Sequence, residues 1–279
     1  MKIGQFEVDV LIEGTMKIDG GSAFGIVPKP LWEKKASPDE KNRVKLGLRQ
    51  LLIRSRNANI LIDTGIGQKV SKRFREIFAI EYFSNWIDRL KPFGLSPKDI
   101  THVFFTHLHF DHSGGATFAV ADGSEIVPTF PNADHILQSG EWNEACVPNE
   151  RTRASYFFED FLPLQNEGKL RLVSGDQEIL EGIRVRISGG HTRFHQIIII
   201  EGGNSQVVCP GDIFPTSLHL HTAWESAFDQ FPQDTLECKK ILLSKYLNAE
   251  ALFFFGHDLE DGLKRLIGTM EKPVAVSCE

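Results

Sequence analysis

Short apolar runs punctuate this chain: Ile60-Leu61-Ile62, Val103-Phe104-Phe105, Ile197 to Ile200, Val207-Val208-Cys209 and Leu252 to Phe255. Each is too brief for a helix, is rich in β-branched or aromatic residues, and gives way to polar or turn-forming residues, so each reads as a buried strand. The same pattern predicts strands near 5–12 and 22–27, a hairpin from 46–55 to 58–62, and strands at 102–106, 134–138, 170–173, 178–187, 196–201, 206–209 and 251–255. Helical spacing appears around 68–91, in a mixed segment over 140–162 that includes the amphipathic Tyr156 to Phe161, and over 233–247. With no internal repeat and no low-complexity linker, the expectation is one mixed α and β domain over 1–279.

The strand at 102–106 ends in Thr106-His107-Leu108-His109-Phe110-Asp111-His112-Ser113-Gly114-Gly115, which places four metal-binding side chains within six residues. Packing gives no reason to crowd titratable groups whose charges and hydration conflict, whereas a metal centre does. Alternation lets His107 and His109 address one ion while Asp111 and His112 address a neighbour. The two glycines predict a tight turn leading into a helix. Three further strand ends carry candidate ligands: His191 in Gly190-His191-Thr192, Asp212 in Pro210-Gly211-Asp212, and His257 after Phe255-Gly256.

The hexad followed by a distant histidine, aspartate and histidine resembles the metallo-β-lactamase superfamily, and the resemblance spans Ile60 to His257. It implies an α+β fold, the four-layer αββα sandwich. It also implies that His107, His109 and His191 hold one metal, that Asp111, His112 and His257 hold the other, and that Asp212 bridges them. Imidazole and carboxylate without thiolate suit two divalent ions, zinc first, with manganese, iron or cobalt compatible. Two such ions share a water, lower its pKa and supply a bridging hydroxide as nucleophile. Asp63, at the end of an early strand, serves on its own terms as a turn cap; the resemblance instead makes it a carboxylate that orients a ligand.

Composition narrows the rest. Lys and Arg number 31 against 37 Asp and Glu, a net charge of -6, and no basic run exceeds a pair, which argues against nucleic acid as a partner. The N-terminal residues lack a signal peptide's apolar core and no apolar stretch reaches the roughly 20 residues that span a bilayer, so the expectation is a cytoplasmic protein without a membrane partner. Cys146, Cys209, Cys238 and Cys278 are scattered, which disfavours disulfides and thiolate zinc; Cys209 reads as a small buried hydrophobe.

Three segments outside the ligand set are expected to choose the substrate: Asp19 to Trp32, with its exposed-looking Phe24 and Trp32; Ile213 to Trp224, with Thr216, His219 and Trp224; and Tyr156 to Phe161. Phe24, Trp32 and Trp224 line the pocket or else fill core or a dimer contact, and His219 and His221 are expected to share a strand face. His195, His102 and His135 read as structural. The loops are similar to the branch containing N-acyl-homoserine lactone lactonases and organophosphate hydrolases, which implies a small ester or lactone substrate, with homodimerisation as a family habit. Asp111 would then both ligate and carry a proton to the leaving oxygen.

Two departures stand out. Lactonases of that branch place a tyrosine three residues beyond the bridging aspartate, and Pro215 stands there, so either another donor such as His219 or Thr216 stands in or the preferred substrate is not an acyl-homoserine lactone. Tyr82, Tyr156 and Tyr246 are all remote from the motif in sequence, and Thr192-Arg193-Phe194 replaces the usual proline-glycine after the threonine. The rival reading is a phosphotriesterase with an aryl pocket of Trp32, Phe24 and Trp224. A glutathione thioesterase lacks a basic cluster, a nuclease lacks a basic surface, a redox di-iron enzyme would want a glutamate in place of His109, and a non-catalytic metal-binding protein completes the alternatives.

Overall fold

The computed structural model describes residues 1–120, 123 and 125–278. Why the chain forms layers follows from the alternation inside its apolar runs. Ile60, Ile62, Phe104, Ile198 and Ile200 turn into one cluster together with Val207, Cys209, Leu252 and Phe254. Their immediate neighbours turn the opposite way. Leu61, Val103 and Phe105 pack with Leu90, Trp142, Phe161 and Leu164, and Ile197, Ile199, Val208 and Phe253 pack with Leu242, Leu243 and Tyr246. Strands buried on both faces produce a sheet-against-sheet core with a helical layer outside each sheet, which is the αββα sandwich.

One sheet runs Lys2–Ile3, Phe6–Asp19, Arg43–Arg54, Asn59–Ile62, His102–Phe104, Asp134–Gln138 and Leu170–Val173 in spatial order, with Glu81–Tyr82 added beside Phe6–Asp19. The other runs Gln177–Leu180, Ile183–Ile187, Gln196–Gly202, Ser205–Cys209, Ala251–Phe254, Leu263–Gly268 and Pro273–Ser277. Asn59–Ile62 and His102–Phe104 are parallel, with Ile62 opposite Phe104, so Asp63 and the hexad leave the same sheet edge. Ser205–Cys209 and Ala251–Phe254 are also parallel, and Gln196–Gly202 is antiparallel to the former, so Asp212, His257 and the His191 loop meet at one rim. The Gln196 N–H donates to Thr106 O at 2.9 Å and joins that rim to the first sheet.

Several expected elements need correction. Residues 22–27 are not a strand: Phe6–Asp19 continues unbroken to Asp19, whose carboxylate accepts from Ser22 N at 3.0 Å and caps a short helix, Gly20–Phe24. The 68–91 region is broken between helices Lys72–Ile77 and Trp86–Leu90 by the strand at Glu81–Tyr82. The 140–162 segment divides into Ser139–Cys146 and Phe158–Asn166. The helical turn of the hexad, Phe110–Ser113, precedes Gly114-Gly115 rather than following it. His219 and His221 share no strand face, because Ser217–Leu220 is a 3-10 turn and His221 terminates it. The last two strands, Leu263–Gly268 and Pro273–Ser277, were not anticipated.

His102 and His135 are strand residues as expected. His135 is fully buried, with Nδ1 3.3 Å from Lys169 O, and burial pushes its pKa down to about 4. Between pH 6.5 and about 4 the unfolded chain therefore holds a proton that the folded chain refuses, and stability falls as pH falls, by about 1.4 kcal/mol per unit for this group. Urea titrations across that window should give a shallower pH slope for His135→Gln than for the wild type; equal slopes would reject the assignment.

Candidate metal centre

His107, His109, Asp111 and His112 occupy the loop and single helical turn that follow His102–Phe104, so the chain holds them together before any tertiary contact forms. The distant ligands depend on backbone shape. Gly190, before His191, has φ 83°, and a Cβ there would meet Thr235 Oγ1 at 2.5 Å. Gly211, before Asp212, has φ 52°, and a Cβ would lie 2.4 Å from His195 Nε2. Only glycine meets both demands, the left-handed backbone and the close approach.

The fold brings every sequence-predicted ligand to one place. Ligand atoms of His107, His109 and His191 lie within 4.8 Å of one another, as do those of His107, His112 and Asp212, and those of Asp111, His112 and His257. The Asp212 carboxylate stands between the groups, 3.3 Å from His112 Nε2, 3.3 Å from His191 Nε2 and 3.5 Å from His257 Nε2.

Each bracing contact turns one imidazole nitrogen outward and leaves the other facing the shared space. His112 Nδ1 lies 2.9 Å from Asp63 Oδ2, His191 Nδ1 2.8 Å from Asp229 Oδ1, and His257 Nδ1 2.9 Å from Gly47 O. His107 Nδ1 meets Thr106 Oγ1 at 3.0 Å, and its Nε2 is buried with no hydrogen-bond partner among the described residues. Inside the cluster His191 Nε2 comes within 3.0 Å of His109 Nδ1, and His257 Nε2 within 3.3 Å of His112 Nε2. Converging nitrogens with their far sides pinned are the arrangement in which imidazoles ligate cations, and the donor set fits two divalent ions.

Asp63 does more than cap a turn. Its two oxygens accept from Thr106 N at 2.8 Å and Thr106 Oγ1 at 2.9 Å while it braces His112, and it holds a φ of 55°, a left-handed conformation that aspartate tolerates better than most residues.

Electrostatics agree with the fit. Burial opposes charge on His112, but Asp212, Asp63 and Asp111 outweigh it and hold its pKa well above the usual histidine value. His191 and His257 are raised against burial, chiefly by Asp212. Burial would lift Asp212, and His112, His191 and His257 pull it well below the carboxylate range. Burial with neighbouring imidazoles keeps His107 and His109 low. Without metals the carboxylates thus recruit protons onto histidines, and metal loading must displace them, so affinity rises with pH.

A cavity of about 610 Å³, counting its open mouth, descends to His109, Asp111, His191, Asp212 and His257 between apolar walls of Met16, Ile18, Leu46, Phe78, Phe110 and Phe228. The substrate-contacting residues expected from sequence fare differently. His219 and Pro215 line it. Phe24 and Trp32, expected to be exposed, are 2% and 1% exposed, stacked on each other at 5.2 Å inside their own small core, with Trp224 edge-on to Phe24 at 5.7 Å. Phe24, Trp32, Trp224 and Thr216 do not line this cavity.

Nor do His219 and Thr216 supply the missing donor. His219 Nε2 lies 3.0 Å from Ala23 O, to which it donates, and Nδ1 accepts from Thr216 Oγ1 at 2.8 Å, so both groups are committed. Burial, reinforced by Lys239, pushes the His219 pKa down to about 4 and keeps the ring neutral. His195, read as structural, accepts from Asp212 N at 3.2 Å through Nε2 and fixes the loop of that aspartate.

Two residues of the site, Asp229 and Glu141, were not found from sequence, and Tyr156 was named only as part of a substrate-choosing segment. Asp229 orients His191. Glu141, fully buried, accepts from Leu108 N at 3.1 Å, Tyr156 Oη at 3.1 Å and Thr192 Oγ1 at 2.5 Å, tying the hexad loop to the His191 loop. Tyr156, remote in sequence, packs its ring 5.0 Å from that of His109. The carboxylates sit in ordinary polar contexts, and no local pattern marks them.

Comparison with known proteins agrees with this geometry. The family model of the Metallo-beta-lactamase superfamily matches residues 50–257. An N-acyl homoserine lactonase of Bacillus cereus is 26% identical over 225 residues, covering 75% of this chain and 80% of that protein. A solved structure of a probable metal-dependent hydrolase from Staphylococcus aureus superposes with a TM-score of 0.90 at 34% identity, covering 100% of this chain and 99% of that one. AidC, a dizinc quorum-quenching lactonase solved with a product, shares the fold at a TM-score of 0.82 and 18% identity, covering 100% of this chain and 96% of its own.

Proposed function

This chain belongs to the metallo-beta-lactamase superfamily and is a metal-dependent hydrolase, and from that premise we propose that it opens lactones bearing an apolar acyl chain. The observation that carries the reading is the apolar-walled cleft that opens to the surface and ends on the ligand cluster, as an acyl tail joined to a hydrolysable ester requires. The lactonase relatives support the same class.

In this reading His107, His109 and His191 hold one divalent ion, Asp111, His112 and His257 hold a second, and Asp212 joins both, with zinc the first choice. When bound, the pair supplies Lewis acidity and lowers the pKa of water. The protein does the rest. Asp63, Asp229 and the Gly47 carbonyl hold three imidazoles in register, so little reorganisation is needed as charge develops. The apolar walls seat the acyl chain and exclude water from the reacting ester. Asp111 faces the cleft with a carboxylate oxygen 3.6 Å from His257 Nε2, placed to pass a proton to the ring oxygen as it leaves.

The phosphotriesterase alternative relied on an aryl pocket of Trp32, Phe24 and Trp224, and loses that support because the three pack together away from the cleft. Steady-state hydrolysis by metal-reconstituted protein, on N-acyl-homoserine lactones, simple γ- and δ-lactones and aryl phosphotriesters with a His109→Ala control, tests the proposal. Preference for lactones, abolished in the control, is the expected result; preference for phosphotriesters would overturn it.

A further inference from the structure

Pro215 contributes no hydroxyl and no N–H, and His219 and Thr216 are committed to each other and to Ala23. The cleft therefore needs another neutral donor if a substrate is to be held by more than apolar contact. Two serines line it. Ser226 Oγ donates to Ser22 O at 3.1 Å and accepts from Phe228 N at 3.1 Å, so its proton is spent. Ser155 is half-buried, lines the same cleft, and its hydroxyl has no hydrogen-bond partner among the described residues.

The position of Ser155 is fixed through its backbone. Its carbonyl accepts from Phe110 N at 2.9 Å and its N–H donates to Thr152 O at 2.9 Å. Phe110 immediately precedes Asp111, and Tyr156, next to Ser155, is anchored by Glu141 and packed on His109. The hydroxyl thus rides on backbone tied directly to the ligand loop, at the boundary between the polar floor and the apolar wall of Phe110.

We infer that Ser155 is a specificity-determining residue whose hydroxyl donates to the amide carbonyl of an N-acyl lactone, holding the acyl arm against the Phe110 wall while the ring lies over the ligand cluster. The inference rests on the lactone reading above. Ser155 adjoins Tyr156, which packs on His109, so its hydroxyl sits beside the ligand loop, and a lactone without the amide lacks the acceptor assigned to it.

Ser155→Ala is therefore expected to raise KM for an N-acyl-homoserine lactone about five- to tenfold, the loss of one neutral hydrogen bond, with kcat and metal content unchanged. KM for an alkyl γ-lactone lacking the amide should not move, and Ser155→Thr, which restores a hydroxyl, should recover most of the loss. Calorimetric titration of the metal-loaded protein with the ring-opened N-acyl-homoserine product should show a matching weakening that does not depend on turnover. Equal kinetics of Ser155→Ala and wild type on the amide lactone, or equal losses on both lactones, would overturn the inference. If instead the wild type opens no lactone, the functional reading fails first, and the product titration still decides whether Ser155 contacts an amide.

Discussion

Asp212→Ala is expected to lower kcat/KM by about a thousandfold or more, which corresponds to about 4 kcal/mol of transition-state stabilisation. Among the described residues no other carboxylate touches so many candidate ligands: within 3.3 to 3.5 Å it reaches His112, His191 and His257, members of every ligand group. Its buried Oδ1 faces His112 Nε2 at 3.3 Å and His257 Nε2 at 3.5 Å, so the carboxylate charge is offset by imidazoles of the cluster. Removing it would leave Asp111 as the one carboxylate among the proposed ligands to offset two cations. Metal analysis should show fewer ions retained after dialysis, while far-ultraviolet circular dichroism stays native. A variant with full metal content and near-normal turnover would contradict the bridging role.

Glu141→Ala should be the most damaging change outside the ligands. The carboxylate is buried, and burial raises its pKa while Thr192, Leu108 and Tyr156 counter by donating hydrogen bonds. Deleting it strands three donors in a site that water reaches poorly. A loss of about 3 kcal/mol in urea unfolding is expected, since each abandoned donor costs on the order of 1 kcal/mol or more. Function should suffer separately. Leu108 lies between His107 and His109, and Thr192 follows His191, so a loosened brace misplaces ligands on both loops, and metal affinity should fall about 10- to 100-fold. Glu141→Gln should lose less, because one amide oxygen still accepts. Unchanged stability and unchanged metal affinity in Glu141→Ala would show that the brace carries neither load.

The ligand cluster was legible in the sequence for a local reason. Four of its members fall within six residues, and the others sit where short apolar runs end, so strand assignment alone puts them on loops. Burial of the central strands on both faces was legible because a run such as Ile197 to Ile200 is apolar at every position, whereas the four layers were implied by the family resemblance alone. What escaped notice depends on tertiary partners. Residues 22–27 read as a strand in isolation, and the Asp19 cap is what turns Gly20–Phe24 into a helix. Phe24 and Trp32 carry no local sign that they will stack on each other rather than face the cleft. Asp229 and Glu141 became visible only when the His191 loop folded over them. Leu263–Gly268 and Pro273–Ser277, the last of which is the sheet edge, are largely exposed and carry weak apolar signal. His219 and Thr216, the expected donors, are committed elsewhere by the fold, and Ser155 comes beside the ligand loop through the hydrogen bond from Phe110 N to its carbonyl, a contact no local pattern marks.

The claim on which the rest depends is that these seven side chains hold two metal ions. Metal quantification on protein stripped with chelator, reloaded with zinc and dialysed exhaustively addresses it directly, with His109→Ala carried in parallel. Two ions retained per chain, falling in the variant together with hydrolytic activity, is the predicted result. A wild-type chain that retains none, or hydrolyses lactones equally well when stripped, would contradict it.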